Sequence, residues 1–263
     1  MSILNKIKGL SEPGSYVLSR QARLELETSR GSLETDFPAD FSQEEQADIL
    51  AVRPFTMTSV ERLVSLSRAV DHINTHHIAG DIVECGVWKG GSMLLVARKL
   101  ARLNDTTRQL FLFDTFEGMS EPTKEDVSAV NQTTAGDLLD AVGRTDGDNV
   151  WCYSPLEEVK ANLQKTDYPF GQIHFIKGKV EDTLPEPSIG KIALLRLDTD
   201  WYESTKHELE TLYDKLVPGG VLIIDDYGHW SGSRKAVDEF IAARKLSLFL
   251  HRIDYTGRLA IKY

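Results

Sequence analysis

Cysteine is nearly missing from this chain: Cys85 and Cys152 are the only two among 263 residues. Neither has a partner at metal-ligand or redox-motif spacing, so no disulfide framework is expected. Long apolar runs are missing too. Nothing approaches the roughly 18 apolar residues of a membrane span, and the apolar stretch in MSILNKIKGL is too short for a secretory signal, so the cytoplasm is the expected location. A basic excess is also lacking: Lys and Arg number 30 against 40 for Asp and Glu, a net charge of −10. That balance disfavours nucleic acid and anionic membrane as partners and points to a small molecule. The seven histidines, at 72, 76, 77, 174, 207, 229 and 251, form no H-E-x-x-H pattern, so no zinc site is suggested. What remains is 41% hydrophobic and 27% charged, enough for one large domain with an appendage.

The appendage is expected at residues 1–57, as a lid or an oligomerisation element, and the main domain at 58–263. Ile3, Leu4, Ile7 and Leu10 have helical spacing before SEPG breaks it; such an appendage would suit a homo-oligomer. Thr58 followed by Glu61 matches a capping box, and Val60, Leu63, Val64, Val70 and Ile73 carry a helix towards His77. From Asp81 onward the runs DIVECG, QLFLFD, IHFIKG, IALLRLD and GVLIIDD alternate with helical segments at Met93 to Leu103, Glu157 to Leu163, Ser204 to Leu216 and Lys235 to Ala243. Five apolar runs separated by helices predict an α/β fold with a parallel sheet covered on both faces. PGG at 218–220 is expected to end a helix, and LSLFLHRIDYTGRLAIKY reads as two strands around Tyr255-Thr256-Gly257. A doubly wound sheet closed by an antiparallel hairpin follows. Residues 120–150 are polar and too long for a plain connection, which makes them a candidate lid or a surface insertion.

The first chemical signal is a glycine turn. Strand DIVECG runs into VWKGGS and then a helix, placing the amides of Gly86, Gly90, Gly91 and Ser92 at a helix N-terminus. The spacing is neither that of the dinucleotide fingerprint nor that of the P-loop. Glu84 just before the turn would repel phosphate and suits a cationic ligand such as S-adenosylmethionine. Asp114 ends the next strand, where a carboxylate accepts hydrogen bonds from ribose hydroxyls. The alternative is a surface Glu84 and an Asp114 that only caps its turn.

The second signal is acidic. Asp198 ends IALLRLD, and Asp225 with Asp226 ends GVLIIDD. Three carboxylates at neighbouring strand ends repel unless a cation joins them, and oxygen ligands select a hard ion, with Mg²⁺ the one expected. Octahedral Mg²⁺ would leave positions for two adjacent hydroxyls of a sugar or a catechol. The competing explanation makes Asp225 and Asp226 loop caps and Asp198 a salt-bridge partner of Arg196 or Lys206. His229 is near enough to Asp226 in sequence to be a base or a substrate contact, or to be structural.

ECGVWKGGS, FDTFEGM, LRLDTDWYEST and LVPGGVLIIDDYGHWSGSRKAVDEF closely resemble the macrocin O-methyltransferase family, sugar methyltransferases dependent on S-adenosylmethionine. The resemblance covers about residues 58–245. It implies a Rossmann-like class I methyltransferase fold, with a central, mostly parallel seven-stranded sheet, a C-terminal antiparallel hairpin and an N-terminal helical appendage. It also implies that Asp198, Asp225 and Asp226 hold Mg²⁺, with Asp198 as general base. Glu84, Gly86, Val87, Trp88, Gly90, Gly91 and Ser92 would surround the methionine end of the cofactor. Asp114, Thr115 and Phe116 would sit at the ribose, Gly178, Val180 and Asp182 near adenine, and Asp198 at the reacting end. The acceptor implied is a vicinal diol of a sugar or glycosylated natural product, with catechol as the nearest competitor.

Two rivals belong to other classes. FDTFEGM taken alone resembles the nucleophile motif of haloacid-dehalogenase-type phosphatases, although Phe116 stands at the second-Asp position and a glycine-turn strand precedes it. A binding module without catalysis is the other, because fold does not imply function.

Overall fold

The structure is a computed structural model that describes residues 37–141 and 150–263. The helix expected at Ile3 to Leu10 and the SEPG break lie outside these residues. One compact unit runs from Ser42 to Tyr263. In the other, which ends at Phe41, the rings of Phe37 and Phe41 lie 6.1 Å apart.

The helices of the larger unit are α1 (Gln43–Val52), α2 (Val60–Thr75), α3 (Gly91–Arg102), α4 (Ala135–Asp140), α5 (Leu156–Leu163), α6 (Val180–Thr183), α7 (Tyr202–Leu212) and α8 (Ser231–Arg244). The strands are β1 (Asp81–Cys85), β2 (Leu110–Asp114), β3 (Ile173–Lys177), β4 (Ile192–Leu197), β5 (Leu216–Ile224), β6 (His251–Arg252) and β7 (Arg258–Ile261). They form one seven-stranded sheet in the order β3-β2-β1-β4-β5-β7-β6. Strands β1 to β5 pair in parallel, and β7 runs antiparallel to both β5 and β6. This is the mostly parallel sheet with a C-terminal antiparallel hairpin that the sequence predicts. Strand order reverses between β1 and β4, and the crevice outside the carboxyl ends at such a switch point is where open α/β sheets receive ligands.

Side chains alternate across the sheet. Val83, Cys85, Leu195, Leu197, Leu222 and Ile224 pack with Leu209 and Leu212 of α7 and with Val237 and Phe240 of α8. Each aliphatic side chain buried this way contributes about 1.5–3 kcal/mol before entropy is charged against it. The alternate positions, Ile82, Glu84, Leu194, Arg196 and Ile223, face the opposite side, where α2 lies against β4 and β5. Glu84 stands opposite Arg196 in the β1–β4 register, and Arg196 opposite Ile223 in the β4–β5 register. Two residues further along each strand come Asp198 and Asp225, so the register alone puts these charges on one face.

Several boundaries differ from expectation for local reasons. The cap of α2 is Ser59, whose hydroxyl accepts from Arg62 N at 3.2 Å, whereas Thr58 turns inward to accept from Arg196 at 3.2 Å. A capping box does occur, at Ser42 and Glu45 of α1. PGG does not end a helix. Helix α7 ends at Leu212, a single 3-10 turn follows, and PGG lies inside β5 where the β4 register shifts. Of LSLFLHR only His251 and Arg252 form a strand, because Leu246, Leu248 and Leu250 pack onto the α7–α8 core instead of joining a ladder.

The first part of the 120–150 segment is bonded to the starts of α7 and α8. Asp126 is fully buried and accepts from Thr123 N at 2.6 Å and Tyr202 N at 2.7 Å. Ser128 pairs with Trp230, and Trp201 donates to Ser120 O at 3.0 Å. Residues 142–149 of this expected lid lie outside the described residues.

Candidate active site

A cavity of about 220 Å³ opens at the carboxyl ends of β1, β2, β4 and β5. Its floor on one side is the glycine turn. Gly86 has φ +84, and a Cβ there would meet Asp198 O at 1.9 Å, so only glycine lets the ends of β1 and β4 close together. Gly90, also at φ +84, caps α3 without a side chain. The carboxylate of Asp114 binds the turn directly: Oδ2 accepts from Val87 N at 2.7 Å and Trp88 N at 3.0 Å, and Oδ1 from Phe116 N at 2.7 Å. Burial pushes its pKa up against these bonds. Asp114 therefore fixes the turn and lines the cavity at once.

The other side is charged. Arg196 is fully buried and donates through Nη1 to Glu84 Oε1 and Asp198 Oδ2, and through Nη2 to Asp225 Oδ1, each at 2.7 Å. Asp225 Oδ2 is held by Arg62 Nη1. One carboxylate oxygen each from Asp198, Asp225 and Asp226 lies within 4.8 Å of the others. Asp200, at φ +66, joins them: it is hydrogen-bonded to Asp226 and Trp230. Burial, with the charge of Asp198, pushes Asp200 up to about 7, and burial with Asp200 pushes Asp226 well above the carboxylate range. Two carboxyl groups bonded to each other share a proton. Among the described residues Glu84, Asp198, Asp200, Asp225 and Asp226 meet the guanidinium groups of Arg62 and Arg196, and protons held by Glu84, Asp200 and Asp226 offset part of the charge these two leave unmatched. The clustered oxygens suit a hard divalent cation.

Residues 15–260 match the family described as Macrocin-O-methyltransferase (TylF). The chain belongs to this family. A 4'-O-methyltransferase of Streptomyces olivaceus, acting on 8-demethyl-8-(2,3-dimethoxy-alpha-L-rhamnosyl)-tetracenomycin-C, is 37% identical over 202 residues, covering 77% of this chain and 73% of the relative. Demethyldecarbamoylnovobiocin O-methyltransferase of Streptomyces niveus is 34% identical over 203 residues, covering 77% of this chain and 73% of its own. Among solved structures, the O-methyltransferase NovP superposes with a TM-score of 0.68 at 33% identity, covering 79% of this chain and 82% of that one.

Membership in the macrocin O-methyltransferase family makes the protein an O-methyltransferase and sets aside both the phosphatase and the non-catalytic binding module. FDTFEGM accordingly closes β2, after the glycine turn, rather than the first core strand. Of the residues expected at the cofactor, Gly86, Val87, Trp88, Gly91 and Ser92 line the cavity, as do Asp114, Thr115, Gly178, Val180 and Asp198. Asp225 and Asp226 line it too. Gly90 and Phe116 stand behind the wall, where each shapes the backbone. Glu84 is also behind it: its carboxyl is spent on Arg196, its Oε2 has no hydrogen-bond partner, and burial pushes it up to about 8. Asp182 is exposed on α6, while its neighbour Glu181 reaches the cavity.

His229 does not line the cavity. It packs edge-on against Trp230 at 4.8 Å and faces the Tyr255 hydroxyl at 3.5 Å from Nδ1. Burial, then Arg62, holds its pKa below the usual histidine value. Arg196 pairs with Asp198 as the competing explanation had it, and Asp198 is nonetheless in the acidic cluster. Sequence reasoning missed Asp200 and Arg62. The only sequence signal for Asp200 is the second acid of LDTD, and for Arg62 there is none, because its acidic partners Asp225 and Asp254 lie more than 160 positions away. Among the described residues no helix is long and apolar enough to cross a membrane.

Proposed function

We propose that the protein transfers a methyl group from S-adenosylmethionine to one hydroxyl of a vicinal diol in a sugar or glycosylated natural product, with Mg²⁺ at Asp198, Asp225 and Asp226. The observation that carries this is the acidic cluster, three converging oxygens with more carboxylates than guanidinium groups, beside a glycine turn pinned by Asp114. The name of a relative that acts on a rhamnosyl compound supports a glycosylated acceptor.

When bound, the cofactor supplies a methyl group on a sulfonium, and the metal supplies a Lewis acid for two neighbouring acceptor oxygens. The chain's own residues do the rest. Backbone amides at Gly91 and Ser92, at the start of α3, and the turn held by Asp114 position the donor. Phe55 and Met119, both half-buried, give the cavity an apolar wall that limits water at the transfer. A carboxylate must take the hydroxyl proton, since Mg²⁺ lowers an alcohol pKa less than zinc lowers that of water. The resemblance implies Asp198 for this role. The structure adds Asp200, which lines the cavity but stands outside the three metal-binding oxygens, whereas Asp198 is already committed to Arg196 and the cluster. We assign the proton to Asp200 and metal binding to Asp198.

Calorimetric titration with S-adenosylmethionine should give one site per chain, weakened at least about tenfold by Asp114→Ala, since that change removes charge-assisted bonds worth about 1.5–3 kcal/mol each. Unchanged affinity would take Asp114 out of the site. Acceptor class is read by screening diol-containing glycosides and catechols with labelled donor. Turnover on glycosides is expected, preference for catechol would move the acceptor, and turnover only on amines or carboxylates would sink O-methylation of a diol.

A further inference from the structure

Arg62 sits in the cavity wall with no part in the methyl transfer described above. It leaves the first turn of α2, and its side chain is only 12% exposed. Nη1 donates to Asp225 Oδ2, and Nε donates to Asp254 Oδ2 at 3.0 Å. Asp254 is itself fixed: it accepts from Ser59 Oγ at 2.7 Å, Thr256 N at 2.9 Å and Gly257 N at 2.6 Å. The guanidinium is thus tethered between the turn of the C-terminal hairpin and the acidic cluster. Since Arg196 holds Oδ1 of Asp225 at 2.7 Å, both oxygens of that carboxylate are already occupied by protein cations. One of them nevertheless lies within 4.8 Å of oxygens from Asp198 and Asp226.

We infer that Arg62 competes with the divalent cation for Asp225 and thereby sets the affinity of the acidic cluster, while Asp254 draws part of its charge away. The inference rests on the metal reading proposed above. A fixed positive charge within hydrogen-bond reach of a ligand oxygen lowers that oxygen's affinity for a dication, and the repulsion is strong where water is excluded. Removing Arg62 therefore tightens cation binding. Removing the charge of Asp254 does the reverse, because the guanidinium then acts on Asp225 alone.

The test is Mn²⁺ titration of the full chain without methyl donor or acceptor, followed by loss of the free-ion paramagnetic resonance signal. Arg62→Gln is expected to bind Mn²⁺ about fivefold tighter than the unmodified protein, and Asp254→Asn about threefold weaker, as opposite changes in one local charge require. A purely structural clasp would leave both unchanged or weaken both, and either result overturns the inference. Should Arg62→Gln fail to fold, Arg62→Met takes its place with the same expected gain in Mn²⁺ affinity, and no gain there overturns the inference. Binding by the unmodified protein with no gain in Arg62→Gln overturns the role of Arg62 alone. No binding by the unmodified protein or by either variant overturns the metal reading, and the inference with it.

Discussion

Arg196→Met should lower stability by about 3–5 kcal/mol near neutral pH, the cost of leaving buried carboxylates without their cation. Arg196 is 2% exposed and holds Glu84, Asp198 and Asp225 at once. Methionine fills the volume but offers no donor. In a domain of this size the loss corresponds to a fall in Tm of roughly 6–20 °C. The deficit should depend on pH through Glu84, whose carboxyl is pushed from 4.5 up to about 8 even with Arg196 present. A carboxyl with a raised folded-state pKa contributes its full share of stability below the unfolded value, and that share is lost as pH rises through the folded value. Without Arg196 the folded value climbs further. The deficit is thus smaller at about pH 5 than at about pH 8, as thermal melts at the two values would show. Adding Glu84→Leu should restore part of the loss, because an apolar pair often replaces a buried ion pair at little cost. Equal melting of Arg196→Met and the unmodified protein at the higher pH would mean that the three carboxylates are already protonated and need no hub.

That hub marks the boundary of what the sequence could show. The five apolar runs were legible as strands because a parallel sheet buried on both faces leaves no alternation to misread. Asp114, Asp198, Asp225 and Asp226 were legible as ligand-side residues because strand ends in such a sheet share one edge. The bond between Glu84 and Arg196 was not, since it depends on the register of β1 against β4, strands more than 100 residues apart. Glu84 consequently reads as a cofactor ligand in sequence and as a buried brace in structure. Asp200 was hidden for a different reason. Its left-handed backbone turns it back towards Asp226, and no spacing rule announces that conformation. PGG misleads because glycine and proline punctuate helices and irregular strands alike, and tertiary packing decides between them. His229 was drawn towards the acids by nearness in sequence, whereas the bonds of His229 N and Trp230 N to Asp226 O turn the chain into α8 and leave the ring between Trp230 and Tyr255.

Chelation should reduce methyl transfer at least about a thousandfold, and added Mg²⁺ should restore it, if activation of the acceptor rests on a metal as proposed. The individual acids separate the roles. Asp226→Asn removes a carboxylate charge from the cluster and replaces the carboxyl–carboxyl contact with Asp200 by an amide–carboxylate one, so turnover collapses while the fold becomes more stable by about 1 kcal/mol or more, the trade expected where like charges are held together for function. Asp198→Asn should lose both Mn²⁺ affinity and turnover, with S-adenosylmethionine affinity less affected. Asp200→Asn should keep Mn²⁺ affinity within about threefold and lose turnover at least about a hundredfold, the usual contribution of a positioned base. Rates with saturating donor, Mn²⁺ titrations and thermal melts on the same three variants give every quantity needed. If Asp198→Asn alone loses turnover and Asp200→Asn keeps it, the proton goes to Asp198 and the assignment to Asp200 fails. If the metal-free enzyme retains full activity, the strand-end acids serve the fold: their mutual repulsion is then relieved by the proton between Asp200 and Asp226 and by Arg62 and Arg196, and the diol must be activated by a carboxylate alone.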